Sequence, residues 1–308
     1  MSTTALSGSS RAALYWRATR PLYLPTSVLP ALVGALVAVG AEGARWWLLP
    51  VALVAMLLVH CGVNVTNDVE DHARGVDGPE KLDNSRVFTL GLLGVREGRL
   101  LAWGYFGLGA LLGVLIVAVQ GPALLVVGTL GILGGWLYTA GPRPYKYLGL
   151  GDTLIIPLMG PMITQGAYTA ITGEGFHAPA AAVGLVPGLL VAAVVQGNNL
   201  SDILEDGRAG IRTLAVRLGF GRARVLYLVS LTLGFAVLPV LWLTGMFGPA
   251  VMLPLVLAPL ALARARQALS ARGPGEDVLR TLAPATAQVH LGASVLLAVG
   301  VLLDRALG

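Results

Sequence analysis

The run Trp46–Val63, WWLLPVALVAMLLVHCGV, passes directly into Asn64–Asp77, NVTNDVEDHARGVD. The first part is apolar and close to the ~20 residues that cross the hydrocarbon core of a bilayer. The second part crowds Asp68, Glu70, Asp71 and Asp77 onto its end. On a continuing helix, Asn64, Asn67 or Asp68, and Asp71 share one face through the i, i+3, i+4, i+7 spacing. Gly75 permits a turn that brings Asp77 toward that face. A charged group at the end of a membrane-spanning helix costs free energy unless it faces water, a partner or an ion. The stretch therefore predicts a transmembrane helix that ends in a polar site.

The same apolar signature recurs outward from this stretch, at 22–40, 46–64, 100–120, 122–141, 178–198, 225–244, 249–263 and 281–302, with 249–263 the weakest. A ninth run, 150–170, is interrupted by Pro157, Gly160 and Pro161 and reads as a broken span. The 308 residues are 56% hydrophobic and only 12% charged, with a mean hydropathy of +0.76. An ordinary soluble domain is excluded. The expectation is an all-α integral membrane protein with nine transmembrane helices, forming a single polytopic domain over 1–308. A rough pseudo-repeat links 60–99 with 194–224, each a span ending in Asn and Asp before a charged loop. One cysteine, Cys61, excludes an internal disulfide framework and a Cys-rich metal site.

The net charge of +5 does not imply nucleic acid as a partner, because the cations sit in loops between apolar runs. If the nine spans alternate, 19 of the 21 Lys and Arg fall in the N-terminal segment or in 65–99, 142–149, 199–224 and 264–280. Only Arg45 and Arg305 lie on the other side. By the positive-inside rule those loops are cytoplasmic. The protein is expected to be multi-pass in an inner or plasma membrane, with membrane lipid as a partner. The polar start shows no cleavage pattern ahead of a mature soluble domain, so no removed leader is expected.

A second polar stretch repeats the chemistry of the first. In Asn198-Asn199-Leu200-Ser201-Asp202-Ile203-Leu204-Glu205-Asp206, the side chains of Asn198, Asp202 and Asp206 are spaced four apart. Either patch alone could be a solvated loop whose carboxylates balance Arg74, Arg208 and Arg212. Two such patches on one predicted side, both at span ends, favour a shared site. Facing carboxylates repel one another and call for cations, and Mg²⁺ prefers such oxygens while retaining phosphate ligands. Within apolar spans, the ligand this suggests is a polyprenyl diphosphate, anionic at its head and hydrocarbon in its tail. Metal-assisted departure of diphosphate would generate a delocalised allylic cation, and the predicted chemistry is prenyl transfer.

These motifs resemble those of the UbiA-type intramembrane prenyltransferases, within that family most closely the naphthoate-prenylating type. The pieces that carry the resemblance are Asn67-Asp68-Val69-Glu70-Asp71 with Gly75-Val76-Asp77, and Asn198 through Asp206 closing in Gly210-Ile211-Arg212-Thr213-Leu214-Ala215-Val216-Arg217-Leu218-Gly219. Arg20-Pro21, Tyr138-Thr139-Ala140-Gly141-Pro142 and Tyr147-Leu148-Gly149-Leu150-Gly151-Asp152 support it. The resemblance implies nine helices around a central cavity, with both Asp-rich motifs on loops above it. It implies that Asp68, Asp71, Asp202 and Asp206 are catalytic and bind Mg²⁺. Asn64, Asn67 and Asn198 would orient oxygens or water, and Asp77 would belong to the naphthoate-type extension. The implied acceptor is 1,4-dihydroxy-2-naphthoate, alkylated with loss of CO₂ and a proton in menaquinone biosynthesis. Other aromatic or lipid acceptors, and an ion-coupled transporter, stay open as alternatives.

The family's pattern after Gly210 is a lysine, one residue and Thr, whereas this chain has Ile211-Arg212-Thr213. Arg212 is then the cation available there, with different reach and geometry. Arg86, Arg143, Lys146 and Arg212 are candidates for diphosphate contact, and each equally satisfies the positive-inside bias. Tyr138 either shields a cation with its ring or anchors a helix at the interface.

Overall fold

The computed structural model describes residues 9–76, 85–208 and 210–307, and every regular element among them is helical. Helix α1 (Arg11–Ala18) and a 3-10 turn (Pro21–Tyr23) lead through a 60° bend into α2 (Pro25–Val37). Then come α3 (Leu48–Ala73), α4 (Val95–Gln120), α5 (Ala123–Thr139), α6 (Gly151–Met159) and α7 (Pro161–Thr172). The second half holds α8 (Ala178–Val183), α9 (Leu185–Arg208), α10 (Leu214–Leu218) and α11 (Phe220–Leu243). A 3-10 segment (Pro249–Leu257), α12 (Ala258–Ser270), α13 (Asp277–Arg280) and α14 (Leu282–Leu307) complete the chain. Among the described residues, seven helical segments are long and apolar enough to cross a membrane, or eight with the bent N-terminal pair. Helix α5 is apolar but shorter.

Helix α3 has 26 residues, about 39 Å at 1.5 Å per residue, more than the ~30 Å of the hydrocarbon core. Its surplus length carries the first polar motif, and α9 likewise runs on to Arg208 through the second. The motifs thus stand on the last turns of helices, where the family resemblance implied loops. A helix fixes the spacing of their side chains as a loop would not.

The interrupted run 150–170 is a broken span, as its prolines predict. Gly160 (φ −119°, ψ −96°) separates α6 from α7, because Pro161 has no N–H to continue the ladder. Bonding resumes beyond the break, with Thr164 N donating to Gly160 O at 3.0 Å. Gly160 also lets the backbones meet: a Cβ there would lie 2.7 Å from Gly188 Cα of α9. Small residues at such a crossing allow helices in lipid to approach closely.

Helices α2, α3, α4, α5, α6, α7, α9 and α14 all contribute to the lining of one interior space, and α4 packs closely along α3. The largest buried cluster lies between α9, α11 and α14, with Leu190, Leu200, Leu238, Leu282 and Leu297 fully enclosed. Tyr227 sits within it, its hydroxyl 2.9 Å from Thr286 Oγ1. The outward side is the reverse of a soluble protein. Leu108, Leu111 and Leu115 of α4 and Val126, Leu130 and Leu133 of α5 are exposed and stand outside the cavity lining. So broad an apolar surface is solvated by lipid, not water. The chain is an all-α polytopic membrane protein.

The α2–α7 crossing depends on Gly34, where a Cβ would collide with the Thr164 backbone. Gly34→Ala is expected to destabilise the protein by ~1–3 kcal/mol through overpacking. Gly104→Ala, with nothing within 4 Å of its Cβ, should leave stability unchanged or slightly raised. Reversible unfolding in mixed micelles compares the two.

Candidate active site

The inner face of α3 and that of α9 open onto one cavity of about 940 Å³. Asn64, Asn67 and Asp71 line it from α3, and Asn198, Asn199, Asp202 and Asp206 from α9. Arg20, Tyr138 and Lys146 add to the polar rim. Elsewhere the wall is mostly hydrocarbon, including Leu53, Met56, Val59, Ile132, Leu158 and Met162. The i, i+3, i+7 face read from the sequence is the face that meets this cavity.

Each buried carboxylate at the rim is held by groups from another segment. Asp71 is 2% exposed. It accepts from Lys146 Nζ at 2.5 Å and from the Tyr147 hydroxyl, while Lys146 also donates to Asn67 Oδ1 at 3.2 Å. The Arg74 guanidinium lies 5.3 Å from the centre of the Tyr147 ring, a cation–π contact that helps to seat it. Asp68 is 3% exposed and pairs with Arg20, its second oxygen accepting from Ser85 N at 2.9 Å. Asn64 Nδ2 donates to Thr19 O at 2.8 Å. On α9, Asp202 accepts from Ser201 Oγ at 2.8 Å and from Asn198 Nδ2 at 3.4 Å. Asp206 accepts from Thr213 Oγ1 at 3.4 Å, and Asn199 Nδ2 donates to the buried Asp152 at 2.7 Å.

Behind the rim, Tyr145 stands edge-on to Tyr138 with ring centres 5.3 Å apart. Burial, and secondarily Tyr138, holds the Tyr145 phenol well above its ordinary range. It therefore stays a neutral donor, bonded to the Gly134 carbonyl. Tyr138 lines the cavity and does not serve as an outward anchor.

Several sequence candidates stand elsewhere. Asp68 is turned from the cavity toward Arg20 and Ser85, so its path to the cavity runs through Arg20. Arg86, at φ 63°, follows Ser85 in that turn and does not line the cavity. Arg143 is exposed and away from the lining. Arg212 is also exposed, a correction to its reading as the replacement cation. Between the left-handed Gly210 and the helix cap Thr213, Ile211 and Thr213 face the cavity while Arg212 faces out. Asp77 lies outside the described residues. The roles of Arg20, Tyr147, Ser85, Asp152 and Asn199 were not read from the sequence, although Arg20-Pro21 and Tyr147 through Asp152 lay within its supporting pieces.

Residues 27–302 match the model of the UbiA prenyltransferase family. The chain belongs to the UbiA prenyltransferase family. It is an enzyme of the prenyltransferase type. It is 37% identical over 268 residues to 1,4-dihydroxy-2-naphthoate octaprenyltransferase of Mycobacterium tuberculosis, covering 85% of this chain and 88% of that one. Identity to the Escherichia coli protein of the same name is 29% over 314 residues, covering 96% and 97% of the two chains. The fold is shared with a UbiA homologue from Archaeoglobus fulgidus bound to GPP and Mg²⁺, at a TM-score of 0.65, 16% identity and coverage of 92% and 99%. A structure of digeranylgeranylglyceryl phosphate synthase matches at a TM-score of 0.67, 15% identity and coverage of 95% and 99%.

In this family member, no three His, Cys, Asp or Glu side chains among the described residues converge as a ready-made metal cage. The donors are spread around the rim, carboxylate and amide oxygens throughout. Such a set suits a hard cation that keeps oxygen ligands from another source.

Removing Arg20 would leave Asp68 buried and without this cation. Arg20→Ala is expected to lower unfolding stability by ~3 kcal/mol, whereas the exposed Arg143→Ala should stay within ~0.5 kcal/mol of wild type. Denaturant titration of the purified protein in mixed micelles checks both.

Proposed function

We propose that this protein transfers a polyprenyl group from its diphosphate to 1,4-dihydroxy-2-naphthoate with departure of CO₂, the step that makes a prenylated naphthoquinol for menaquinone. The observation that carries the reading is one cavity whose rim bears both Asp- and Asn-rich helix ends and whose wall is otherwise mostly hydrocarbon. Relatives named for this acceptor align with 85% and 96% of the chain, which supports the choice of ring.

Asp71 with Asn67, and Asp202 and Asp206 with Asn198, are the groups that would hold Mg²⁺. When bound, Mg²⁺ would offset the charge gathering on the leaving diphosphate. Lys146 has three N–H donors, two of them engaged by Asp71 and Asn67, and it offers phosphate oxygens a charge-assisted bond. Arg20 presents a second cation, oriented by Asp68. Tyr147 restrains Asp71, so the carboxylate keeps its position when a ligand arrives. The hydrocarbon wall takes the isoprenoid tail and excludes water that would trap the allylic cation as an alcohol. Tyr138, beside the rim, offers π density to that cation. As the allylic carbon–oxygen bond breaks, its electron pair leaves with diphosphate. The ring carbon bearing the carboxylate forms the new carbon–carbon bond, and loss of CO₂ restores aromaticity.

Counting the bent N-terminal pair and α5 as crossings gives nine spans, and the basic loops then put the rim on the cytoplasmic side. The polar ends of 60–99 and 194–224 are read as the two matched halves of a single domain.

Purified protein with Mg²⁺, labelled geranylgeranyl diphosphate and 1,4-dihydroxy-2-naphthoate should yield a prenylated naphthoquinol identified by mass. EDTA should abolish turnover and added Mg²⁺ restore it. Asp71→Ala and Asp202→Ala should each lower kcat by ~100-fold or more, with membrane insertion retained. No product from folded wild-type protein, or near-normal turnover in both variants, overturns the proposal.

A further inference from the structure

On α3 the rim residues Asp71, Asn67 and Asn64 are followed, one turn further from the rim along the same face, by His60, which also lines the cavity. Ser27 of α2 lines it too, and Ser27 Oγ lies 2.7 Å from His60 Nδ1 and 3.1 Å from Leu24 O. No other side chain among the described residues bonds the ring, so Nε2 is left to the cavity. The neighbouring α3 residues in the lining, Met56, Val59 and Val63, are apolar.

An imidazole in a hydrocarbon wall costs free energy unless something polar meets it. An isoprenoid tail offers nothing polar. A diphosphate held at Asp71 does not reach, since His60 lies about 16 Å further along the helix at 1.5 Å per residue. Ser27 has one proton and two acceptors within range, so Nε2 presents either a lone pair or an N–H. A hydroxyl satisfies both cases because it donates and accepts. A carboxylate satisfies only the second.

We propose that Ser27 and His60 form the acceptor subsite of the cavity. His60 Nε2 hydrogen-bonds a hydroxyl on the aromatic acceptor, and Ser27 holds the imidazole in position to do so. The assignment rests on the prenyl-transfer reading for the identity of the cavity's second substrate. It places the acceptor ring beyond the diphosphate, along the wall that also receives the hydrocarbon chain. Discrimination among acceptors then depends on where their hydroxyls fall relative to His60.

The test compares wild type with His60→Leu, His60→Gln and Ser27→Ala by calorimetry in detergent, using 1,4-dihydroxy-2-naphthoate, 2-naphthoate and, separately, geranylgeranyl diphosphate with Mg²⁺. His60→Leu should weaken the dihydroxy compound about tenfold and move 2-naphthoate and the prenyl diphosphate by less than about twofold. His60→Gln, which can still donate and accept, should retain most of the preference. Ser27→Ala should lose about threefold and serves alone if His60→Leu does not insert. The subsite is overturned if wild type binds both naphthoates equally, or if the variants leave binding unchanged or weaken all three ligands alike. Hydroxyl-dependent binding that fails in His60→Leu, with no prenylated product from wild type, would uphold the subsite and reject prenyl transfer. Prenylation indifferent to His60 would do the reverse.

Discussion

Carboxylates buried at the end of an apolar helix must be met by cations or strong donors, and that requirement organises the mouth of the cavity. Asp68 and Asp71 are three residues apart on α3, yet they are answered by different segments. Arg20 comes from the N-terminal bend and Lys146 from the connection between α5 and α6. Withdrawing one partner from a buried pair costs far more than the pair contributes in net stability. The three segments are therefore bound to one arrangement. Arg20 reaches its place with a left-handed backbone, φ 52° and ψ 61°, a conformation costing a non-glycine residue ~1 kcal/mol or more. The ion pair to Asp68 offsets that strain.

Much of this was legible in the sequence. The apolar run into Asn64–Asp77 announced a span ending in a polar site, and helical spacing alone put Asn64, Asn67 and Asp71 on one face. Pro157, Gly160 and Pro161 announced the break between α6 and α7. What spacing could not give was the rotation of each side chain relative to its neighbours. Asp68 and Asp71 stand about 60° apart on a helical wheel, on one broad face, but Ser85 N and Arg20 draw one aside while Lys146 and Tyr147 keep the other at the rim. Arg212 was misplaced for a similar reason. In an extended stretch alternate residues face opposite ways, and the register was fixed by Gly210 and the Thr213 cap, which become visible only in the fold. The lengths of α3 and α9 were underestimated because their last turns are polar and leave the hydropathy signal behind.

The cavity combines two solvent regimes in one enclosure. Its rim gathers oxygen donors and cations; the rest of its wall is mostly hydrocarbon. The order in which these groups occur along α3 reproduces the order of parts in an amphiphile, head first and chain after. A single helix thus sets the orientation of the ligand, and the surrounding helices set the width of the space it enters.

Glu70 gives this arrangement a further property. It stands about 100° around α3 from Asp71 and turns outward to Arg99 of α4, with bonds at 2.7 and 3.2 Å. Two ionic clasps on different faces, Glu70 to Arg99 and Asp71 to Lys146, restrain the cylinder against swivelling about its axis. The aim of the inner carboxylate is thereby keyed from an adjoining flank of the helix, by a residue with no share in the chamber it helps to calibrate.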